Sequence, residues 1–262
     1  MTGRVAHVSL RGLVEGVAFT DGEALRIVEP LVDLRGAPGG ALERQLVMGE
    51  GFVGVDREAG HVYGFAVKDG YCGWLAETAV GVAVEPSHWV ASVGTHLYSE
   101  PRVQARQAVA LPIGARLAVL GQAGKFAQTT RGFVAASHLR EIGDWFSDPV
   151  AVAEGFLGTP YLWGGNSRAG LDCSGLVQVV HQACGIAVPG DADLQVVVGR
   201  EVAGDLRRGD LLFWRGHVAL VVDAGRLIHA NGHTMSVAYE GIAACIARVL
   251  AAEGTVIARR RI

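Results

Sequence analysis

The sequence predicts a multidomain protein in which two small all-β barrels precede an α+β domain. Up to about residue 145, short runs of alternating apolar residues are separated by Gly and Asp turns, without sustained helical periodicity. Beyond that point, segments with helical spacing come first and strand-like segments follow, which is typical of an α+β domain. A chain of 262 residues is long enough for two or three such domains.

Four apolar runs in the first part have the length and alternation of β-strands, at residues 53–55, 62–67, 117–120 and 133–135. They belong to two similar copies of one pattern. Each copy has a glycine before a strand and closes on Gly, an aromatic and an aliphatic residue: GE and DGYCGWL in the first copy, LPIG and TRGFV in the second. The repeat resembles bacterial SH3-type domains, which implies SH3-like barrels at residues 1–82 and 83–145.

The rest of the chain, residues 146–262, changes character. Helical spacing predicts one helix over residues 149–157, ending at Gly158, and a second over 172–184, ending at Gly185. Apolar alternation then predicts antiparallel strands at residues 210–214, 217–222 and 226–230. Helices followed by a run of strands indicate one α+β domain.

Composition narrows the classes of function. Half of the residues are apolar and 19% are charged, so the chain can bury a core. The net charge is −3 and basic residues are scattered, which argues against a nucleic-acid partner. The N-terminus lacks the apolar core of a signal peptide, and no run of about 18 apolar residues would cross a membrane. We therefore expect a cytoplasmic protein with reduced thiols, and a monomer as the simplest oligomeric state.

Among the four cysteines, Cys173 has the most informative surroundings. The spacing of Cys72, Cys173, Cys184 and Cys245 matches neither a metal site nor a small disulfide framework. Cys173 follows a Gly-rich segment, and Asp172 or a residue just before it can cap the helix that begins there. A helix N-terminus can lower a thiol pKa from about 8.5 to roughly 3.5–7.5. The alternative is a small buried apolar residue, the usual fate of a cysteine.

Two histidines on neighbouring predicted strands can supply a base. A three-residue loop at 223–225, with Gly225 in the left-handed conformation, would set position 222 opposite 226 and 219 opposite 229. His217 and His229 would then share a face as diagonal neighbours, with Cβ atoms about 7–8 Å apart. A two-residue loop would instead place them on opposite faces. A nucleophilic thiol needs a base and a group that orients that base, and these residue types provide both.

The segments PYLWGGNSRAGLDCSGLVQ, GDLLFW, GHVALVV and LIHA resemble the NlpC family of papain-like cysteine peptidases, which cut bacterial cell-wall peptides. The resemblance covers residues 146–262 and implies that the α+β domain is catalytic. It implies Cys173 as nucleophile, His217 as base and His229 as the third polar residue. It also implies that Tyr161 holds the oxyanion beside the backbone N–H of Cys173, and that no metal or organic cofactor is needed.

SH3-type domains ahead of such a domain are similar to those of γ-D-glutamyl-L-diamino-acid endopeptidases of murein recycling. That resemblance implies a small murein peptide with a free N-terminal L-alanine as substrate. It implies that Glu50 and Tyr71 of the first barrel, with Asp172, bind the substrate amino group, and it places Ser174 in the same site. Gly190 stands where many members of the family have Arg, which bears on how the substrate is held.

Three other interpretations remain open from the sequence. The same domain could act as an amidase or acyltransferase on another substrate, or the chain could be a non-catalytic module that binds a wall polymer. Cys173, His217 and His229 could instead ligate zinc, although no fourth ligand has consistent spacing. Within the peptidase interpretation, the diamino acid can be diaminopimelate or lysine.

Overall fold

A computed structural model describes residues 1–82, 84–252 and 254–262. The chain divides into two compact units, residues 1–142 and 143–262. The sequence predicted a change of pattern after residue 145, close to this division. The predicted boundary between the two barrels falls at residue 83, which lies outside the described residues, and it stays a prediction.

The first unit begins with short strands that surround an apolar core. Their bounds are β1 (Val5–His7), β2 (Ala18–Thr20), β3 (Glu23–Ile27), β4 (Leu31–Arg35), β5 (Leu42–Val47), β6 (Gly51–Glu58), β7 (His61–Ala66), β8 (Cys72–Ala76) and β9 (Val80–Gly81). Strands β3 to β9 form one antiparallel sheet in the order β5-β4-β8-β7-β6-β3-β9. Alternate residues of β7 are buried, and they join a core that includes Leu34, Leu46 and Phe52.

The remainder of the first unit repeats this all-β organisation. Its strands are β10 (His88–Val90), β11 (Gly94–Tyr98), β12 (Gln107–Pro112), β13 (Arg116–Leu117), β14 (Val119–Ala123), β15 (Phe126–Thr129), β16 (Gly132–Ala135) and β17 (Leu139–Glu141). They form the sheets β12-β11-β16-β15-β14 and β13-β10-β17. The strand predicted at 117–120 is split between β13 and β14, because the chain passes from one sheet to the other there. Short 3₁₀ helices occur at Val8–Leu10, Glu77–Ala79 and Ala136–His138.

The second unit has the predicted α+β character. Its helices are α1 (Pro149–Glu154), α2 (Cys173–Ala183), α3 (Ala192–Gln195) and α4 (Ile242–Ala252). Its strands are β18 (Asn166–Ser167), β19 (Gly170–Leu171), β20 (Arg200–Glu201), β21 (Leu211–Trp214), β22 (His217–Val221), β23 (Arg226–Asn231), β24 (Ser236–Gly241) and β25 (Ala258–Arg261). An antiparallel sheet runs β20-β25-β21-β22-β23-β24, and α2 packs against β22 and β23. Cys245 and Val249 of α4 pack with apolar side chains of β21 to β23.

Helix α2 confirms the helix predicted over residues 172–184. Asp172 is its N-cap, with extended backbone and a side chain that accepts a hydrogen bond from the N–H of Gly175. Gly185 follows the helix with φ of +74°, a left-handed conformation that glycine adopts without strain. Helix α1 is shorter than predicted, because the helical hydrogen bonds stop at Glu154 and a turn leads to Gly158.

The hairpin of β22 and β23 has the predicted register. Leu220 pairs with Ile228 and Val221 with Leu227, so position 219 faces 229. The expectation of a left-handed Gly225 was wrong, because the φ angle of Gly225 is not positive. The side chain of Asp223 closes the loop instead, because its Oδ1 accepts the N–H groups of Gly225 at 3.0 Å and Arg226 at 2.9 Å.

Helix α4 and strands β24 and β25 were not predicted. Strand β24 ends at Gly241 and α4 begins at Ile242, so no turn residues separate them. Within the described residues, no helix has both the length and the apolar character needed to cross a membrane.

Gly175, the third residue of α2, offers a test of how closely this helix packs against residues 165 and 166. A Cβ atom there would lie 2.3 Å from the carbonyl oxygen of Gly165 and 2.7 Å from Oδ1 of Asn166. We expect Gly175→Ala to lower the free energy of unfolding by about 1–3 kcal/mol, measured by urea denaturation, because the helix must shift. Gly204→Ala is the control, since an added Cβ there meets no atom within 4 Å. Equal effects of the two substitutions would contradict this account of α2.

Candidate active site

Cys173 is the first residue of α2 and is 6% exposed. Its Sγ lies 3.9 Å from the carbonyl oxygen of Gly216, the residue that precedes His217 at the start of β22. The first N–H groups of a helix have no partner within the helix, and its dipole is positive at this end. The thiol therefore stands where a negative charge is favoured, beside the strand that carries the predicted base.

Asp172 fixes the start of α2 with hydrogen bonds from three groups. Its Oδ1 accepts the N–H of Gly175 at 2.6 Å and the hydroxyl of Ser174 at 3.1 Å. Its Oδ2 accepts the N–H of Gly164 at 2.8 Å. The carboxylate is 5% exposed, so it joins the Gly-rich loop to the helix inside the structure. Ser174 is also buried, and its carbonyl oxygen accepts a hydrogen bond from Gln195.

Backbone hydrogen bonds bring Tyr161 next to the residues that precede Cys173. The N–H of Leu171 donates to the carbonyl of Pro160 at 3.0 Å, and the N–H of Leu162 donates to the carbonyl of Leu171 at 3.1 Å. The N–H of Tyr161 itself donates to Met235 at 2.9 Å. The half-buried Tyr161 therefore lies on a segment that is held alongside Leu171.

His217 and His229 are in direct contact. Nε2 of His217 lies 2.9 Å from Nδ1 of His229, and the ring centroids are 5.1 Å apart. Burial lowers the pKa of His217 to about 4, helped by the Arg248 cation and opposed by the Glu240 carboxylate. Burial also lowers the pKa of His229, and the neighbouring His217 adds to this effect. Both rings are therefore neutral at pH 7, and His217 can accept a proton.

Behind His229 lies a group of residues that the sequence did not reveal. Oε2 of Glu240 is 3.1 Å from Nε2 of His229. Arg248 donates from Nε to Oε1 of Glu240 at 2.9 Å and from Nη2 to Oε2 at 2.7 Å. Cys245 is fully buried beside this pair. The sequence did contain two signals for the elements that carry these groups. Apolar residues alternate before Gly241, as in a strand, and recur at helical spacing after it.

His229, Glu240 and Cys245 have the side-chain types of a metal site, and their ligand atoms lie within 4.8 Å of one another. The guanidinium of Arg248 already places a positive charge there, 3.8 Å from Sγ of Cys245. Burial, with the charge of Glu240, raises the pKa of the Cys245 thiol to about 12, so it is protonated. These residues suit an internal ion pair better than a divalent cation. The group also differs from the set of Cys173, His217 and His229 considered from the sequence.

Glu50 and Tyr71 belong to the first unit. Glu50 is 4% exposed, its Oε1 lies 2.8 Å from Nζ of Lys68, and its Oε2 accepts the N–H of Val47 at 3.0 Å. Glu50 and Lys68 line a cavity of about 470 Å³ in that unit. The ring of Tyr71 lies 5.5 Å from the guanidinium carbon of Arg44. Their role toward a substrate stays a prediction.

The other predicted site residues all belong to the second unit. Its elements bring together the start of α2, the adjoining Tyr161 segment and the histidine-bearing strands: Tyr161, Asp172, Cys173, Ser174, His217 and His229. A thiol at a helix N-terminus, next to a strand whose histidine is oriented by a second histidine, is the arrangement of a thiol-dependent hydrolase.

Comparison with known families agrees with this arrangement. Residues 158–248 match the NlpC/P60 family, and residues 34–80 match the bacterial dipeptidyl-peptidase Sh3 domain. Residues 158–248 are thus similar to NlpC/P60 domains, and residues 34–80, ahead of them in the chain, are similar to a bacterial SH3 domain. The fold class expected from the sequence is confirmed.

Particular relatives share part of the chain. The chain is 40% identical over 92 residues to γ-D-glutamyl-L-lysine dipeptidyl-peptidase of Bacillus subtilis, and the matched stretch covers 32% of this chain and 31% of that relative. It is 37% identical over 100 residues to dipeptidyl-peptidase 6 of Lysinibacillus sphaericus, and the matched stretch covers 37% of this chain and 36% of that relative. The matched region thus spans about a third of each relative. The structure of an NlpC/P60 family protein from Bacillus cereus superposes with a TM-score of 0.77 at 21% identity, covering 91% of this chain and 99% of that one, which shows the fold.

Alkylation by iodoacetamide at pH 6 tests whether Cys173 is activated. Burial raises the pKa of Cys184 to about 11 and that of Cys245 to about 12, so both remain protonated thiols. We expect Cys173 to react at least about tenfold faster than either, because a helix-terminal thiol retains more thiolate at this pH. Peptide mass spectrometry gives the three rates, with the exposed Cys72 as an internal reference. If Cys173 reacts no faster than Cys184 or Cys245, the nucleophile is assigned wrongly.

Proposed function

We propose that this protein is a cysteine endopeptidase that hydrolyses the γ-D-glutamyl-L-diamino-acid bond of short murein peptides with a free N-terminal L-alanine. The observation that carries the catalytic part is the position of Cys173 at the start of α2, beside a strand whose His217 contacts His229 at 2.9 Å. The choice of bond is supported by the relatives that are named γ-D-glutamyl-L-lysine dipeptidyl-peptidases.

The reaction begins with the transfer of the Cys173 proton to His217. Since Nε2 of His217 faces His229, Nδ1 is the nitrogen left for the thiol. The sulfur then attacks the γ-carbonyl carbon of the D-glutamyl residue, and the carbonyl electron pair moves onto oxygen. His217 next gives its proton to the departing amine of the diamino acid, and a thioester to Cys173 remains.

The negative oxygen of the tetrahedral intermediate needs donors that are already in place. The backbone N–H of Cys173 belongs to the first turn of α2, and Tyr161 lies on the segment held beside Leu171. We assign these two groups as the oxyanion donors. Water then attacks the thioester while His217 accepts its proton, and the thiolate leaves. The cycle needs only these side chains and water.

In this proposal Asp172 recognises the amino group of the substrate. Asp172 is held in one orientation by its hydrogen bonds, so an ammonium can meet it without further ordering. Ser174 positions Asp172 through its hydroxyl. Glu50, whose carboxylate pairs with the ammonium of Lys68, and Tyr71 are predicted from the sequence to contact the same amino group, and that role stays a prediction.

The proposal extends to the place of the reaction, which is turnover of short wall peptides in the cytoplasm by a monomeric enzyme. It continues the expectation drawn from the sequence, in which the four cysteines do not have the spacing of a small disulfide framework. Cell fractionation with an antibody to the chain tests the location, and recovery of the chain with secreted proteins would contradict it.

Cleavage of defined tripeptides tests the reaction. With L-Ala-γ-D-Glu-L-Lys and its diaminopimelate counterpart, we expect release of the free diamino acid and the dipeptide L-Ala-D-Glu, measured by chromatography. N-acetylation of the alanine should reduce kcat/KM by at least about tenfold, because an ammonium paired with a buried carboxylate is lost. Cys173→Ala should remove activity by several orders of magnitude. The proposal would be refuted if Cys173→Ala still cleaved the tripeptides, or if the natural protein left them intact.

The acid limb of the pH profile tests the histidine pair. Burial lowers the pKa of His217 to about 4, so its proton-accepting form persists well below the ordinary histidine pKa near 6.5. We expect kcat/KM to stay high between pH 7 and 5 and to fall as the pH drops through about 4. Circular dichroism at each pH separates this fall from unfolding. A midpoint at 6.5 or above would show that His217 is not the base with a lowered pKa described here.

A further inference from the structure

We propose that Glu240 is a positioning residue that acts through His229 and selects the tautomer of the histidine pair, so that His217 presents an unprotonated Nδ1 to Cys173. This inference rests on the proposed function, because it takes Cys173 as the nucleophile. Nothing in the sequence segments around Cys173, His217 or His229 points to Glu240, which lies on the strand after that of His229.

Strand pairing fixes Glu240 on the face of the sheet that carries His229. In the β23–β24 ladder, His229 pairs with Ala238 and Leu227 pairs with Glu240. Residues two apart on a strand share a face, so Glu240 is the diagonal neighbour of His229. Its Oε2 reaches to 3.1 Å from Nε2 of His229, a ring that is 1% exposed. Within the described part of the chain this nitrogen has no well-aligned hydrogen-bond partner, and the Glu240 carboxylate is placed to serve it.

Two tautomers satisfy the 2.9 Å contact between the rings. If His217 carries its hydrogen on Nε2, it donates to Nδ1 of His229, whose own hydrogen then lies on Nε2, the nitrogen 3.1 Å from the Glu240 carboxylate. If His229 carries its hydrogen on Nδ1, the lone pair of its Nε2 lies beside that carboxylate and the two repel. A carboxylate accepts and cannot donate, so it favours the first arrangement. In that arrangement the free lone pair of His217 is on Nδ1, where Cys173 needs it.

This selection requires Glu240 to be ionised, and its neighbours keep it so. The two hydrogen bonds from Arg248 of α4 lower the pKa of Glu240 well below its usual range. Cys245, also from α4, is a protonated thiol, and His229 faces Glu240 from β23. Arg248 acts as a fixed cation, and Glu240 screens the histidines from it. Without the carboxylate, that cation would directly oppose an imidazolium at His217.

Replacement of Glu240 by Gln separates this role from a structural one. The amide can accept from or donate to Nε2 of His229, so it no longer excludes the wrong tautomer, and the charge of Arg248 is left unscreened. The measurement is the rate of Cys173 alkylation by iodoacetamide from pH 5 to pH 9. For Glu240→Gln we expect thiolate formation to move by at least one pH unit toward the ordinary thiol value. This shift makes alkylation at pH 6 about tenfold slower.

Glu154 provides a matched control, because it is a second glutamate that binds strand β24. It accepts a hydrogen bond from the hydroxyl of Tyr239, the residue before Glu240, and none of its described contacts is with either histidine. Glu154→Gln should leave the alkylation profile unchanged. Glu240→Asp keeps the charge and should restore at least half of the shift. Should Glu240→Gln fail to fold, nitrogen chemical shifts of His229 in the natural protein decide the same question, since the hydrogen must lie on Nε2.

The outcomes distinguish this inference from the proposed function. Slow alkylation of Cys173 in the natural protein would remove the nucleophile and with it both proposals. Fast alkylation of the natural protein together with an unchanged profile in Glu240→Gln would overturn the role of Glu240 alone. A hydrogen on Nδ1 of His229 would do the same. A shifted profile in Glu240→Gln, with recovery in Glu240→Asp, is the result that supports it.

Discussion

The second unit depends on the N-cap that Asp172 provides for α2. One buried carboxylate accepts hydrogen bonds from the loop at Gly164, from the hydroxyl of Ser174 and from the helix at Gly175. The loop and the helix cannot move apart without breaking hydrogen bonds to a buried carboxyl group, which is costly. Cys173, between them in sequence, is therefore held at one position. The position of its backbone N–H, which the proposed mechanism uses as an oxyanion donor, follows from that single constraint.

Local signals in the sequence were enough to predict that Cys173 begins a helix and that His217 begins a strand of the hairpin. A capping Asp before Cys173 and a glycine after the last turn defined α2, and the number of residues between two apolar runs defined the hairpin register. The register was correct although Gly225 was not left-handed. A loop of given length can be closed either by a left-handed residue or by an Asp side chain such as that of Asp223. Register was the robust part of the prediction, and the turn chemistry was not.

The contacts behind the histidines could not be obtained in that way. Glu240 reaches His229 only because β24 pairs beside β23, and Arg248 reaches Glu240 only because α4 folds onto the same face of the sheet. Neither the strand pairing nor the helix packing has a sequence signal within a few residues of the histidines. The passage from Gly241 directly into Ile242 also lacks the turn residues that usually mark such a boundary. Glu50 and Tyr71 belong to the first unit, so no local pattern around Cys173 points to them either.

The sheet also determines the order in which the site can assemble. His217 and His229 are 12 residues apart and joined by one tight hairpin, whereas the thiol of Cys173 meets the carbonyl of Gly216 across 43 residues. Closing a longer loop costs more chain entropy, and local contacts form sooner. The contact between the two imidazoles can therefore form before the contact between the thiol of Cys173 and the strand of His217. A chain that has formed only this hairpin lacks the arrangement on which the proposed mechanism depends.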